Sequence, residues 1–302
     1  MRFLMLCREL RLYSCQRLKQ ACEQRGIELD ILDPSRFLLN IGGNEGRAEC
    51  YYQHNALFEP ADLRPLPNYD GILPRFGTTS TEMGCRVLHF FEANGVPVLN
   101  NANAFRLARD KWQSLQALAA QQIPVPNSSF SGELVSVSAV IEKQSFPTVL
   151  KTLSGSQGIG VMLAENSANA KAILETLKQA NVATLTQQFM AEAKGQDIRA
   201  FVIGDQVVAT MARQGARGEF RANIHRGGQG QKITLNQAEQ QLAVRASQAI
   251  GLDVAGVDLI RTELGLMVLE VNASAGLEMI EKVSGEDLAG QMIDFLLAKI
   301  KG

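Results

Sequence analysis

Strand-like Gly256-Val257-Asp258-Leu259-Ile260 and Met267-Val268-Leu269-Glu270-Val271-Asn272 flank a turn containing Gly265. If that hairpin centres near Leu264, Asp258 and Glu270 stand directly opposite each other. Asn272, two residues further on, projects from the same sheet face. Two adjacent carboxylates among apolar strands repel each other and are costly to bury unless a cation neutralises them. An all-oxygen Asp, Glu, Asn set is what magnesium prefers, usually with substrate phosphates completing its shell. The competing reading is a solvent-facing hairpin with incidental acids. Three polar side chains sharing one face, bracketed by apolar residues, fit that reading less well.

Lys151 precedes a glycine-rich run, Ser154-Gly155-Ser156-Gln157-Gly158-Ile159-Gly160-Val161. Glycines let backbone N–H groups approach phosphate oxygens because no Cβ stands in the way. The run is not a P-loop, since no Gly-Lys-Ser/Thr follows it. Nor is it a dinucleotide fingerprint, whose third glycine is missing and whose helix is replaced by the apolar Val161-Met162-Leu163. It reads as a strand–loop–strand flap, although a plain hairpin loop accounts for the run alone equally well. A basic stretch follows: Arg213, Arg217, Arg221-Ala222-Asn223 and His225-Arg226-Gly227-Gly228. Guanidinium groups suit bidentate carboxylate or phosphate binding. Taken alone this stretch is a solvated surface run; beside a phosphate loop and a metal cluster, anion clamping is the better account.

The elements that must carry these groups fall into three stretches. Residues 1–100 alternate strand and helix. Phe3 to Cys7 is a strand, Tyr13 to Arg25 a helix behind a Ser14 cap and closed by Gly26, and Ile27 to Leu32 a second strand. A glycine-rich surface loop covers Gly42 to Arg47. Gly71 to Leu73 and Val96 to Leu99 are further strands around a helix from Thr81 to Glu92. Such β-α-β alternation predicts a parallel, helix-covered sheet. A helical stretch from Ala102 to Gln121, broken near Asp110, leads into strand, helix, strand, glycine loop, strand, helix, strand, ending near Met190. The rest is rich in hairpins, including Val202-Ile203 against Val207-Val208 across Gly204-Asp205. The expected units are 1–100, 101–190 and 191–302.

Bulk properties narrow the partners. The 302 residues carry a formal net charge of −1, no footprint for a nucleic-acid backbone. The five cysteines, Cys7, Cys15, Cys22, Cys50 and Cys85, show no Cys-x-x-Cys pair and are expected as buried reduced thiols, not zinc ligands. No apolar run reaches the roughly 20 residues that span a bilayer, and the N-terminus is too short in apolar residues for a signal peptide. The expectation is a cytoplasmic protein acting on a small molecule or a protein segment.

In order, Lys111, Lys151 with its glycine loop, Gln187-Gln188-Phe189-Met190, Asp197-Ile198-Arg199, Phe220 to Gly228, and Asp258 through Asn272 resemble the ATP-grasp series. Leu12-Tyr13-Ser14-Cys15, Pro74-Arg75-Phe76-Gly77 and Leu277-Glu278 narrow the resemblance to RimK-type α-L-glutamate ligases, over essentially the whole chain. The resemblance implies an α/β (α+β ATP-grasp) fold: an N-terminal parallel pre-ATP-grasp domain followed by two α+β subdomains clamping ATP. It implies that Lys111, Lys151 and the loop residues Gly155, Ser156, Gly158 and Gly160 meet ATP phosphates. Gln188 and Phe189 would line the adenine pocket through backbone groups, and Asp197 would reach the nucleotide. Arg221, Ala222 and Asn223 would bound the phosphate and acceptor side, and Asp258, Glu270 and Asn272 would hold two magnesium (or manganese) ions. Arg213 or Arg221 would steady a tetrahedral oxyanion, while Tyr13, Ser14, Arg75, His225 and Arg226 would face substrate.

The implied reaction transfers the γ-phosphoryl group to a carboxylate, whose acyl phosphate the amine of L-glutamate then attacks. By resemblance the acceptor is the C-terminal tail of a small-subunit ribosomal protein and the enzyme a homo-oligomer, often a tetramer. Two other readings stand beside it: a ligase for a small carboxylate or for polyglutamate, and a silent nucleotide-binding subunit. Retained, mutually repelling acids argue against the last. Gln188 stands where the family usually has glutamate, Phe189 where tyrosine is frequent, and Ala275 where proline follows Asn-Ala-Ser. Because adenine contacts at Gln188 and Phe189 are expected through the backbone, ATP binding should survive those two departures. Ala275 bears on the loop behind the metal site, and the altered charges around Arg217 bear on the acceptor more than on the reaction.

Overall fold

In the computed structural model, the described residues are 1–302 except 43–45, 56–61, 154, 156–157, 217–219, 221–227 and 264. Three short apolar segments, β1 (Arg2–Leu6), β2 (Glu28–Leu32) and β6 (Gly71–Pro74), form a parallel sheet of order β2-β1-β6. Between them come α1 (Tyr13–Gln24) and an antiparallel sheet of β3 (Phe37–Gly42), β4 (Arg47–Gln53) and β5 (Leu63–Pro65). The loop expected from Gly42 to Arg47 is therefore the end of a hairpin, with Gly42 paired to Arg47. Val96 to Leu99 does not form the expected strand; only an isolated parallel bridge joins Val98 to Ile72. Nor does Ser14 cap α1. The cap position is Leu12, without a side-chain bond, and the Ser14 hydroxyl instead accepts from the Leu277 N–H at 2.9 Å.

After α2 (Thr81–Ala93), the long helical stretch is α3 (Ala102–Arg109) and α4 (Lys111–Ala120), parted at Asp110. The Asp110 carboxylate accepts from the Trp112 and Gln113 N–H groups, so the residue that breaks one helix caps the next. Then follow β7 (Ser128–Phe130), α5 (Val137–Ile141), β8 (Thr148–Thr152), β9 (Val161–Ala164), α6 (Ser167–Gln179) and β10 (Thr184–Gln188). Their strands make a four-stranded antiparallel sheet of order β7-β10-β8-β9.

The last sheet is antiparallel, of order β13-β12-β11-β14-β15, from β11 (Gln196–Ile203), β12 (Gln206–Gln214), β13 (Gln229–Lys232), β14 (Val254–Thr262) and β15 (Gly265–Asn272). Helix α7 (Gln237–Ile250), closed at its start by an Asn236/Glu239 capping box, covers one face. Ala243, Ala246 and Ile250 share a buried cluster there with Ile198, Ala200, Val257 and Leu259. The opposite face is divided. Phe201, Ile203, Ala209 and Met211 pack into a second core with α8 (Glu278–Ser284), α9 (Leu288–Lys301), β1 and α1. Further along the same face, the side chains are charged.

That second core joins the ends of the chain. Asn100 grips the end of the hairpin through its amide, donating to the Val254 and Ala273 carbonyls and accepting from the Asp253 and Val254 N–H groups. Arg17 bonds Glu281 at 3.1 Å, and Arg25 bonds Asp294 at 2.7 Å. The first stretch of the chain is thus tied to the helices that pack on the sheet carrying the charged stripe. All five cysteines are buried and unbridged.

Candidate active site

The charged stripe arises from register. Across β11 and β12, Asp197 faces Arg213; across β11 and β14, Arg199 faces Asp258; across β14 and β15, Asp258 faces Glu270. The Asp258/Glu270 pair expected from the hairpin is present, but by a different route. The strand ends Thr262 and Gly265 pair, which centres the turn before residue 264, and a bulge after Asp258 restores the opposition. Asn272 faces Gly256, and its Nδ2 lies 3.4 Å from Asp258 Oδ2. Gly256 is needed here: a Cβ would meet Ala275 Cβ at 2.5 Å and Arg199 Cδ at 3.2 Å.

Asp258 is only 8% exposed. Arg199 grips it with Nε on Oδ1 and Nη2 on Oδ2, the latter at 2.8 Å, while Arg213 Nη2 reaches Oδ2 at 3.0 Å. Arg213 also holds Asp197 bidentately at 2.6 Å on both oxygens. Burial works against the Asp258 charge, yet the two guanidiniums win and hold its carboxyl below the ordinary value. For Asp197 burial wins, pushing it up to about 6. It has one arginine, shared with Asp258, and the Asp258 charge repels its own. Arg213 therefore links two acids, an anchoring task that the sequence did not suggest. Arg199, quoted only as part of a motif, turns out to be the main partner of Asp258.

Glu270 is different. Among the described residues no hydrogen bond or ion pair reaches its side chain, although its charge is felt by Lys151, Lys111 and Arg109. Lys151 leaves β8 toward it; burial pushes this ammonium down, and Glu270 partly restores it. Lys111, at the start of α4, donates to the carbonyls of Leu153 and Gly155, 3.1 Å each, and so ties a helix end to the glycine loop. The loop joins β8 to β9 as a strand–loop–strand flap, with Thr152 N–H bonded to Gly160 O at 2.9 Å. Gly160 has φ 76°, and a Cβ there would collide with Thr152 Oγ1. Gly155 and Gly158 also take positive φ.

Gln188 ends β10 with its N–H committed to the Asn127 carbonyl at 2.8 Å, so that group is not available to a ligand. Phe189 follows, its ring 6.2 Å from that of Phe220, edge to face. Tyr13 and Ser14 are engaged within the fold: Tyr13 Oη donates to Glu281 at 2.9 Å, and Ser14 holds Leu277. Arg75 reaches the far side of the site, donating to Ala275 O at 3.0 Å just beyond the Asn272 strand end. Ser156, Arg221, Ala222, Asn223, His225 and Arg226 lie outside the described residues. Arg109, absent from every motif of the sequence, also stands at the site; only its place one residue before the Asp110-Lys111 helix break could have marked it.

The donor chemistry fits a hard divalent cation. Among the described residues no three His, Cys, Asp or Glu side chains gather as a metal cage. Two acids and an amide do share one face, and so few protein ligands leave coordination positions for phosphate oxygens, as magnesium requires. Cations surround them: Lys111, Lys151, Arg109, Arg199 and Arg213. They outnumber Asp197, Asp258 and Glu270, which suits a polyanionic ligand.

Residues 1–105 match the family model described as RimK PreATP-grasp domain, and residues 108–296 match the RimK-like ATP-grasp domain. A probable alpha-L-glutamate ligase of Haemophilus ducreyi is 58% identical over 100% of both chains. One from Histophilus somni is 59% identical over 97% of both. Among solved structures, a RimK domain ATP-grasp protein from Sphaerobacter thermophilus superposes with TM-score 0.73 at 24% identity, over 98% of this chain and 100% of that one. The ATP-grasp ligase PsnB, solved with a precursor variant, Mg and ADP, gives 0.71 at 19% identity, covering 99% and 98%.

Proposed function

The chain belongs to the RimK-like ATP-grasp family, and from that premise we propose that it is an ATP-dependent α-L-glutamate ligase, forming a peptide bond through an acyl phosphate. The observation that carries the reading is the cross-strand pair Asp258/Glu270 with Asn272 beside it, within electrostatic reach of Lys151 and Lys111 at the glycine flap. Magnesium held by these three side chains would draw charge off the triphosphate and lower the barrier to phosphoryl transfer.

The chain's own residues do the rest by position. Lys151, which pairs with no opposite charge among the described residues, offers its ammonium to phosphate oxygens, stronger in its half-buried setting than it would be in water. Lys111 holds the flap carbonyls of Leu153 and Gly155, so a phosphate entering beneath the loop meets a lid already fastened at one edge. Arg199 and Arg213 fix the Asp258 carboxylate before any ligand arrives, which removes the entropy of orienting it. Phe189 and Phe220 provide an aromatic corner for the adenine ring. Asp197, the flap glycines and the segment around Arg221 to Arg226 complete the nucleotide and substrate site in this reading.

The proposed acceptor is the C-terminal tail of a ribosomal protein. The family relationship supports this, and the net charge of −1 is consistent with gripping a protein tail instead of RNA. The test is mass spectrometry of candidate acceptors after incubation with ATP, magnesium and glutamate. Added glutamyl units, accompanied by glutamate-dependent ADP release, are the expected result. ADP release indifferent to glutamate, or an unmodified tail, would remove the ligase or the acceptor assignment respectively.

A further inference from the structure

Among the described residues, two buried side-chain polar atoms lack a hydrogen-bond partner: Arg109 Nε and Ser80 Oγ. Both belong to residues bonded to the same short turn. Arg109 Nη2 donates to Phe76 O at 2.9 Å, and the Ser80 N–H bonds Gly77 O at 3.2 Å. The residue before this turn is Arg75. Its guanidinium holds Ala275 O and lies within hydrogen-bonding reach of the Cys15 thiol. Among the described residues neither arginine has a carboxylate partner, whereas Arg199 and Arg213 each have one. The two are close enough for the Arg75 charge to repel that of Arg109.

A pair of like charges largely withdrawn from water, answered by two backbone carbonyls and a thiol but by no carboxylate among the described residues, is unfavourable unless something else answers it. The Phe105 ring, 5.2 Å beneath Arg109, offsets part of this. It cannot use the orphaned Nε, which lies in the plane of a guanidinium fork made for two oxygens. Glu270 and Lys111 also sense the Arg109 charge, so the fork stands beside the proposed metal and phosphate site.

We propose that Arg75 and Arg109 together seat a non-reacting carboxylate of the amine substrate, glutamate, with Ser80 available as a further donor. The inference rests on the ligase reading for the identity of that substrate. Glutamate brings two carboxylates that take no part in bond formation, and its amine has to be carried to the acyl phosphate. A two-arginine clamp next to the metal face holds such a dianion by a charge the protein leaves unmatched. It also gives a reason to prefer glutamate over glutamine, because an amide in the clamp would leave a buried guanidinium without its anion.

Two measurements on the full-length chain decide it. Steady-state ADP release with glutamate, glutamine or glutamate α-amide as the amine gives a KM for each, in wild type and in Arg109→Gln, Arg109→Lys and Arg75→Lys. Loss of a charge-assisted hydrogen bond should raise the glutamate KM about 10- to 100-fold in Arg109→Gln, with the KM for ATP within about twofold. Wild type should reject at least one amide, and the variants should lose that discrimination. In parallel, calorimetry measures glutamate binding in the presence of magnesium and a non-hydrolysable ATP analogue. Binding that depends on the arginines without turnover keeps the clamp and discards the ligase reading. Turnover whose glutamate KM and amide discrimination survive the substitutions keeps the ligase and discards the clamp. If KM values for ATP and glutamate worsen together with the melting temperature, Arg109 serves only to brace Phe76, which also overturns the proposal. Arg109→Lys, which keeps charge but not the fork, and the wild-type amide comparison keep the test valid should Arg109→Gln fold poorly.

Discussion

The charged site has two halves built on different terms. On the β11–β12–β14 side, Asp197, Arg199, Arg213 and Asp258 form a closed row in which every charge has a partner 3.0 Å away or less. On the other side, Glu270, Lys151, Arg75 and Arg109 are drawn from β15, β8, the turn after β6 and α3, and none of them pairs with an opposite charge among the described residues. The paired half is assembled by cross-strand register inside one sheet, so folding that sheet completes it. The other half is assembled from several sheets and a helix, and its charges answer one another only at a distance. A row completed by folding positions a ligand, whereas charges left unmatched are the ones a ligand can satisfy. This division predicts that the two halves respond differently to substitution.

The largest effect is expected for Asp258→Asn. It removes a proposed metal ligand and strands two buried guanidiniums, so loss of glutamate-dependent ADP release should come with a destabilisation of about 3–5 kcal/mol, read by denaturant unfolding. Glu270→Gln should be just as inactive, with kcat down about 1000-fold or more, yet its unfolding free energy should stay within about 0.5 kcal/mol of wild type. No hydrogen-bond or ion-pair partner among the described residues is lost there. Equal destabilisation in the two variants would erase the distinction between the halves. Lys151→Met sharpens it further: a half-buried ammonium that has no ion-pair partner among the described residues is replaced by an apolar chain of similar length. ATP affinity should fall about 10- to 100-fold, while thermal stability should hold or rise by about 1 kcal/mol. A clear drop in stability would show that Lys151 is part of the frame instead.

Much of this was legible in the sequence because it depends on period and spacing. The alternation along Val257 to Ile260 and Met267 to Asn272 fixed which side chains share a face, and the Gly204-Asp205 turn fixed a hairpin in the place expected. The glycine flap could be read as strand–loop–strand because Val161-Met162-Leu163 leaves no room for a helix. What escaped depends on pairing between distant strands. Nothing local tells that Arg199 lies across from Asp258, or that Arg213 bridges it to Asp197, since those contacts need β11 to sit between β12 and β14. Ser14 looked like a helix cap from its neighbours alone; its hydroxyl is committed to Leu277, 263 residues away. Arg109 carries no motif, and its role depends on how α3 meets the turn after β6.

The smallest effect calibrates the others. Glu239 lies on the far side of the sheet from the charged stripe, in the first turn of α7. It accepts from the Asn236 N–H at 3.0 Å and pairs with the exposed Arg261. Although partial burial works against its charge, Arg261 and the Asn236 N–H hold its carboxyl below the ordinary value. A depressed carboxyl contributes stability above its unfolded value of 4.5, and that contribution disappears as pH falls through the lower folded value. Glu239→Gln should therefore cost about 0.5–1 kcal/mol near neutral pH and close to nothing at the acid end, where both proteins carry a neutral side chain. Activity should not change. A pair with one exposed member sets the scale for a single surface contact. If Glu239→Gln proved as damaging as Asp258→Asn, burial would have no bearing on what an ion pair contributes here, and the division of the site into a fastened half and an open half would lose its physical basis.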